Sequence, residues 1–162
     1  WISLWQTQVS RFANLERTPE QRAVGQASAW CEVEFFSEQI VSGFFTCQTT
    51  WSQQQQGMAF NFDLKKGEEI RQKDLFKDSF KPSVFVKNMV KTAFKNHSLY
   101  ESDKDFKQWI EAAEFPYFTI RKEGICFSTD FNVLYGRQSL TVPFAELREY
   151  LREGSVLKGM GE

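Results

Sequence analysis

Histidine is nearly absent from this chain: its 162 residues include one, His97. A histidine-built metal centre needs several such ligands, so that class is excluded by count. A Ser-His-Asp triad would have to use His97, and no nucleophile elbow or cysteine context marks a partner for it. The residue follows a helical stretch in a polar segment and is expected at the surface. No glycine-rich phosphate loop is present, and no apolar run approaches transmembrane length. The three cysteines, Cys31, Cys47 and Cys126, match no zinc spacing. Excess charge is missing as well. Lys and Arg total 20 against 21 Asp and Glu, a net charge of −1, so nothing suggests a surface for nucleic acid or an anionic membrane. No cofactor is implied.

Carboxylates are plentiful but stand at turns and on helix faces. Glu68-Glu69 and the Asp103/Asp105 pair read as solvated and capping charges, not as an acid/base couple. What the chain has in quantity is aromatic residues. Phenylalanine occurs 17 times and hydrophobic residues make up 41%. That is enough to bury a core at this length and argues against disorder. The chain opens on Trp1 and not on Met. A processed chain or excised domain is expected, with any signal peptide or anchor outside it.

Hydrophobic periodicity sets out the elements. Trp1, Leu4, Trp5, Val9 and Phe12 give an amphipathic helix over 1–15, broken at Thr18-Pro19. Cys31, Val33 and Phe35 alternate with Glu32 and Glu34 in a first strand. Ser37-Glu38-Gln39 turns the chain, and Ile40 to Trp51 forms a second. Pairing Phe36 with Ile40 puts Cys31, Val33 and Phe35 on one core-facing side with Val41, Gly43 and Phe45. In that register Cys31 and Cys47 are diagonal, an awkward separation for a disulfide. The polar run Ser52–Gly57 is a hairpin tip. Met58, Phe60, Phe62 and Leu64 mark a third strand, closed by a turn at Gly67.

Pro82-Ser83 opens a helix to about Lys95, with Val86, Met89, Val90 and Phe94 on one face. Ser102 with Asp105 resembles a capping box ahead of Phe106, Trp109 and Ile110. Two longer paired strands follow, carrying Phe118 and Ile120, then Ile125 to Val133, with one face buried and one wet. Gly124 supplies positive φ for the hairpin between them. Leu140 and Val142 make a short last strand. Pro143 starts a closing helix with Phe144, Leu147 and Leu151 inward, and Gly154 caps it. The expected class is α+β: antiparallel sheet from two three-stranded clusters, helices on one face, and one domain over 1–162.

Glu32-Val33-Glu34-Phe35 with Ile40-Val41-Ser42, then Asn61-Phe62-Asp63-Leu64-Lys65-Lys66-Gly67-Glu68 running to Asp74-Leu75-Phe76, form one part of an ordered set. Phe118-Thr119-Ile120, Gly124-Ile125-Cys126-Phe127 and Val142-Pro143-Phe144-Ala145-Glu146-Leu147 complete it. In this order the motifs resemble a bacterial extracytoplasmic family, domain of unknown function 3298, over about residues 30–152. One member of that family is the extracellular part of an anti-sigma factor that binds animal-type lysozyme. Another is attached to a peptidoglycan deacetylase, apart from its catalytic domain. The resemblance therefore implies a non-catalytic binding or sensing module outside the membrane, with lysozyme, another protein or peptidoglycan fragments as partner. A cell-wall glycan-acting enzyme, or its accessory domain, is the alternative. Relatives commonly carry a longer Tyr- and Pro-containing segment before the last strand, where this chain has Tyr135-Gly136. Trp30 and Trp51 flank the first hairpin and can stack on sugar or on a protein partner. With Tyr135 they are the candidate ligand contacts.

Overall fold

The structure, a computed structural model, describes residues 27–49, 56–158 and 160. The expected helix over 1–15 lies outside these residues. Strands β1 (Ala27–Phe36), β2 (Ile40–Thr49), β3 (Gln56–Asp63) and β4 (Glu68–Glu69) form one antiparallel sheet in that order. Helices α1 (Gln72–Leu75), α2 (Pro82–Ala93), α3 (Ser98–Ser102) and α4 (Lys104–Ala112) follow. Strands β5 (Tyr117–Ile120), β6 (Gly124–Ser128) and β7 (Ser139–Pro143) form a second antiparallel sheet, again in sequence order. A short helix α5 (Phe144–Leu147) and a 3₁₀ turn (Arg148–Tyr150) close the fold. The class is α+β as expected, with four and three strands among the described residues instead of three and three.

The second sheet is two-faced. Phe118, Ile120, Ile125, Phe127 and Val142 share one core with Val86 and Val90 of α2 and with Phe106 and Ile110 of α4. The other face presents Tyr117, Thr119, Cys126, Ser128 and Thr141, aligned across the three strands. The apolar alternation over 125–133 therefore does not mark a long strand with one wet side. Strand β6 stops at Ser128 and is buried at every position, because it is the central strand and the first sheet approaches its polar face.

The closing helix is shorter than its apolar spacing suggests, yet it packs as expected. Phe144 and Leu147 are buried, and Leu151 bridges to Phe76 in antiparallel fashion. Asp103, not Ser102, caps α4: its Oδ1 accepts from the Asp105 and Phe106 N–H groups at 2.9 Å each. The Ser102 hydroxyl instead donates back to Ser98 O within α3. Gly67, at φ 71°, makes its expected turn, helped by Asp63 Oδ1 accepting from Lys65 and Lys66 N–H. Gly124 has no positive φ, and its role is close packing. A Cβ there would fall 2.1 Å from Val142 O of β7, so only glycine lets the two strands approach.

The first hairpin departs from its expected pairing at one residue. Val33 pairs with Gly43 and Phe35 with Ser42, which leaves Glu34 as a bulge. A bulge flips the side chains that follow it to the opposite face. Phe35 consequently packs on the helical core. Cys31 and Val33, upstream on β1, are exposed, although Val41 and Phe45 on the neighbouring strand are buried. Cys31 pairs with Phe45 and Cys47 with Ala29, so the two thiols are diagonal, and all three cysteines are free.

Candidate functional site

The bulge aims Glu34 at the second sheet, where it meets Arg121. The guanidinium donates from Nε to Glu34 Oε2 and from Nη2 to Oε1, at 2.9 Å each. Thr119 also donates its hydroxyl to Glu34 Oε2, and Arg121 reaches Thr141 Oγ1 at 3.3 Å. Burial alone would raise the Glu34 carboxyl. The hydrogen bonds from Arg121 and Thr119 outweigh it and hold Glu34 below the usual glutamate value. This forked pair ties β1 to β5.

Beside it lies a second arginine with no such partner. Arg137 follows Gly136, whose φ of 69° ends the tight loop after β6. Asn132 organises that loop: its Oδ1 accepts from Leu134 and Tyr135 N–H, and its backbone bridges to Gly136. The Arg137 guanidinium carbon stands 3.5 Å from the centre of the Phe44 ring, a cation–π stack. Gly57 makes room for it, since a Cβ there would lie 2.4 Å from Arg137 Nη2 and 2.3 Å from the Phe44 ring. Arg137 is half-buried, forms no ion pair among the described residues, and its buried Nε has no hydrogen-bond partner. Burial lowers its pKa, against the raising influence of Tyr117, Glu34, Asp130 and Glu32.

Tyr117 completes this wall. Its ring packs edge-on to Phe44 at 5.6 Å, and its hydroxyl donates to Asp130 Oδ1 at 2.7 Å. Burial and that hydrogen bond push the phenol up to about 12. Register places Trp30 on the same face. Trp30 pairs with Thr46 and Thr46 with Gly57, so the three form one row across the sheet, with Glu32, Phe44 and Ala59 in the next. Directly paired residues project to one side. Trp30 is 43% exposed. An exposed indole and an unpaired guanidinium thus flank Thr46 on one sheet face, with Glu32 and Asp130 supplying acceptors.

The other candidate residues go elsewhere. Trp51 lies outside the described residues. Tyr135 is half-buried, stacked on Trp109 at 5.3 Å and edge-on to Phe106 at 5.1 Å. Its hydroxyl lies 3.4 Å from Asp103 Oδ2. His97 is not a free surface side chain: its ring stacks on Phe106 at 5.0 Å. Glu69 pairs with Arg71, and Asp103 is a helix cap. Among the described residues no three His, Cys, Asp or Glu side chains converge as metal ligands would, and no helix is long and apolar enough to cross a membrane. Sequence reading did not single out Arg137, which no motif surrounds. Glu34 lay inside a recognised motif, but its partner Arg121 becomes visible only once the bulge is placed.

No family profile matches the sequence, and no curated protein does. Solved structures do. A DUF3298 family member from Bacteroides fragilis superposes with a TM-score of 0.66 at 13% identity, over 99% of this chain and 66% of that one. A DUF3298 family protein from Pseudomonas aeruginosa gives 0.64 at 11% identity, over 79% of this chain and 62% of that one. The chain thus spans about two thirds of the length of either. The fold is DUF3298-like, as the ordered motifs suggested.

Proposed function

We propose that the chain is a non-catalytic binding module that works outside the bacterial cytoplasm and holds cell-wall glycan against the Trp30–Arg137 face. One observation carries this reading: a half-buried arginine whose Nε lacks a partner, on the same sheet face as an exposed tryptophan. Leaving a buried donor unsatisfied is costly, and a ligand acceptor would relieve that cost. N-acetylated sugars offer an amide carbonyl to the guanidinium and hydroxyls to Glu32 and Asp130. A pyranose ring offers a flat C–H face to Trp30. The envelope location rests on the family resemblance.

A second reading has its own support. Val133 and Leu134, 53% and 80% exposed, tip the loop that carries Arg137. Exposed apolar tips suit a protein partner such as lysozyme. Calorimetric titration with soluble peptidoglycan fragments and with an animal-type lysozyme separates the two. Saturable heat with the fragments, lost in both Trp30→Ala and Arg137→Ala, is expected. Lysozyme binding that Leu134→Ser abolishes would move the function to the second reading. Turnover of the fragments, lost on changing one carboxylate, would make the chain an enzyme and overturn both.

A further inference from the structure

A concave site lies away from the Trp30 face, around the closing turn. Lys77, Arg148, Arg152 and Lys158 line one cavity of about 350 Å³, with Glu153 as the one carboxylate that lines it among the described residues. Such a concentration of cations is not inherited from the composition, because the whole chain carries a net charge of −1. Glu153 and Asp78, which pairs with Arg152, offset two of the four. Arg148 and Lys158 form no ion pair among the described residues.

The cations stand on braced backbone. Lys77 N–H donates to Tyr150 O at 2.9 Å and Arg152 N–H to Leu75 O at 2.8 Å, on either side of the Phe76–Leu151 bridge. Two of the side chains are aimed as well. Lys77 Nζ donates to Glu149 O at 2.6 Å, and Arg152 Nε to Phe76 O at 3.2 Å. These bonds fix direction and leave further N–H donors on both groups. The cavity also has an apolar part, formed by Leu151, Leu157 and Met160.

We propose that this cavity is a binding site for a phosphate-type anion, with the apolar part taking the first carbons of an attached chain. Arginine and lysine donors that line one cavity match the several acceptor oxygens of phosphate. An apolar wall beside them distinguishes an esterified phosphate from the free ion. The site is independent of the glycan reading, so either can fail alone.

The test is a calorimetric titration of the whole chain with three probes: inorganic phosphate, a soluble short-chain phosphatidylglycerol and the matching phosphatidylcholine. Phosphatidylglycerol is expected to bind most tightly and phosphatidylcholine not to bind. The double variant Arg148→Ala/Lys158→Ala should weaken phosphatidylglycerol by about 10- to 100-fold, the range for losing hydrogen bonds to charged groups. Both side chains are exposed and form no ion pair among the described residues, so the variant should fold with an unchanged melting temperature. Inorganic phosphate binding as tightly as phosphatidylglycerol would support the anion site and overturn the role of the apolar wall. Equal binding of the two lipids, or phosphatidylglycerol binding unchanged in the double variant, would overturn the site.

Discussion

The Ser42 hydroxyl donates to Asn61 Oδ1 at 2.7 Å, and its oxygen accepts the Ile120 N–H at the same distance. Asn61 Nδ2 in turn donates to Phe118 O at 2.9 Å. Among the described residues, strand β5 is an edge, paired on one side by β6. On its other side, side chains of β2 and β3 take the backbone groups that a further strand would have taken. Both Ser42 and Asn61 are buried. This polar joint, with Glu34 and Arg121 beside it, fixes how one sheet sits on the other, and so sets the wall where Phe44 meets Arg137.

Ser42→Ala should therefore destabilise the fold by about 1–3 kcal/mol, the cost of stranding a buried N–H. Urea denaturation measures it. An unchanged midpoint would mean that Ile120 N–H is satisfied by Asn61 alone, from which it is 3.2 Å away.

Gly124→Ala distinguishes close packing from turn geometry. The added methyl would meet β7 backbone, which has little freedom to give. A loss of about 1–3 kcal/mol is expected, as for other overpacked sites. Wild-type stability would show that β6 and β7 can separate at no cost.

The double variant Phe144→Ala/Leu147→Ala removes two large side chains buried at 2% and 0% exposure. Together they should cost about 4–10 kcal/mol, comparable with the whole stability of a domain. Circular dichroism at room temperature should show a largely unfolded chain. A melting temperature equal to wild type would show that the closing helix is not part of the core.

Acid should find the Glu34–Arg121 pair. The folded carboxyl titrates below its unfolded value, so the folded state holds its proton less tightly. Its contribution is fully present above the unfolded glutamate value of about 4.3. It is lost as pH falls from there through the lowered folded value. Melting temperature against pH should show a steeper acid limb in wild type than in Glu34→Gln. Parallel limbs would mean that the pair adds nothing to folding.

How much of this could be read from the letters depends on the kind of contact. Helix α2 was legible because Pro82, Val86 and Val90 carry both its start and its buried stripe. The hairpin of β1 and β2 was legible up to Glu34, where a bulge reversed the faces without any proline or glycine to mark it. Strand β6 misled because Cys126 and Ser128 look solvent-facing in an alternating run but lie against another sheet. Ser42 and Asn61 gave a signal that was available: small polar residues in the middle of apolar strands. Arg137 gave none. Its importance comes from Gly57 and Phe44, far away in sequence, which together leave space for a guanidinium that forms no ion pair among the described residues.

Nuclear magnetic resonance on the ¹⁵N-labelled chain, titrated with soluble peptidoglycan fragments, reads both halves of the proposed glycan face at once. The Trp30 indole N–H and the Arg137 Nε–H are separate, assignable signals. Saturable shifts of both are expected, with the Arg137 signal moving most because its Nε gains an acceptor. Shifts confined to other residues, or none up to millimolar fragment, would contradict glycan recognition at this face.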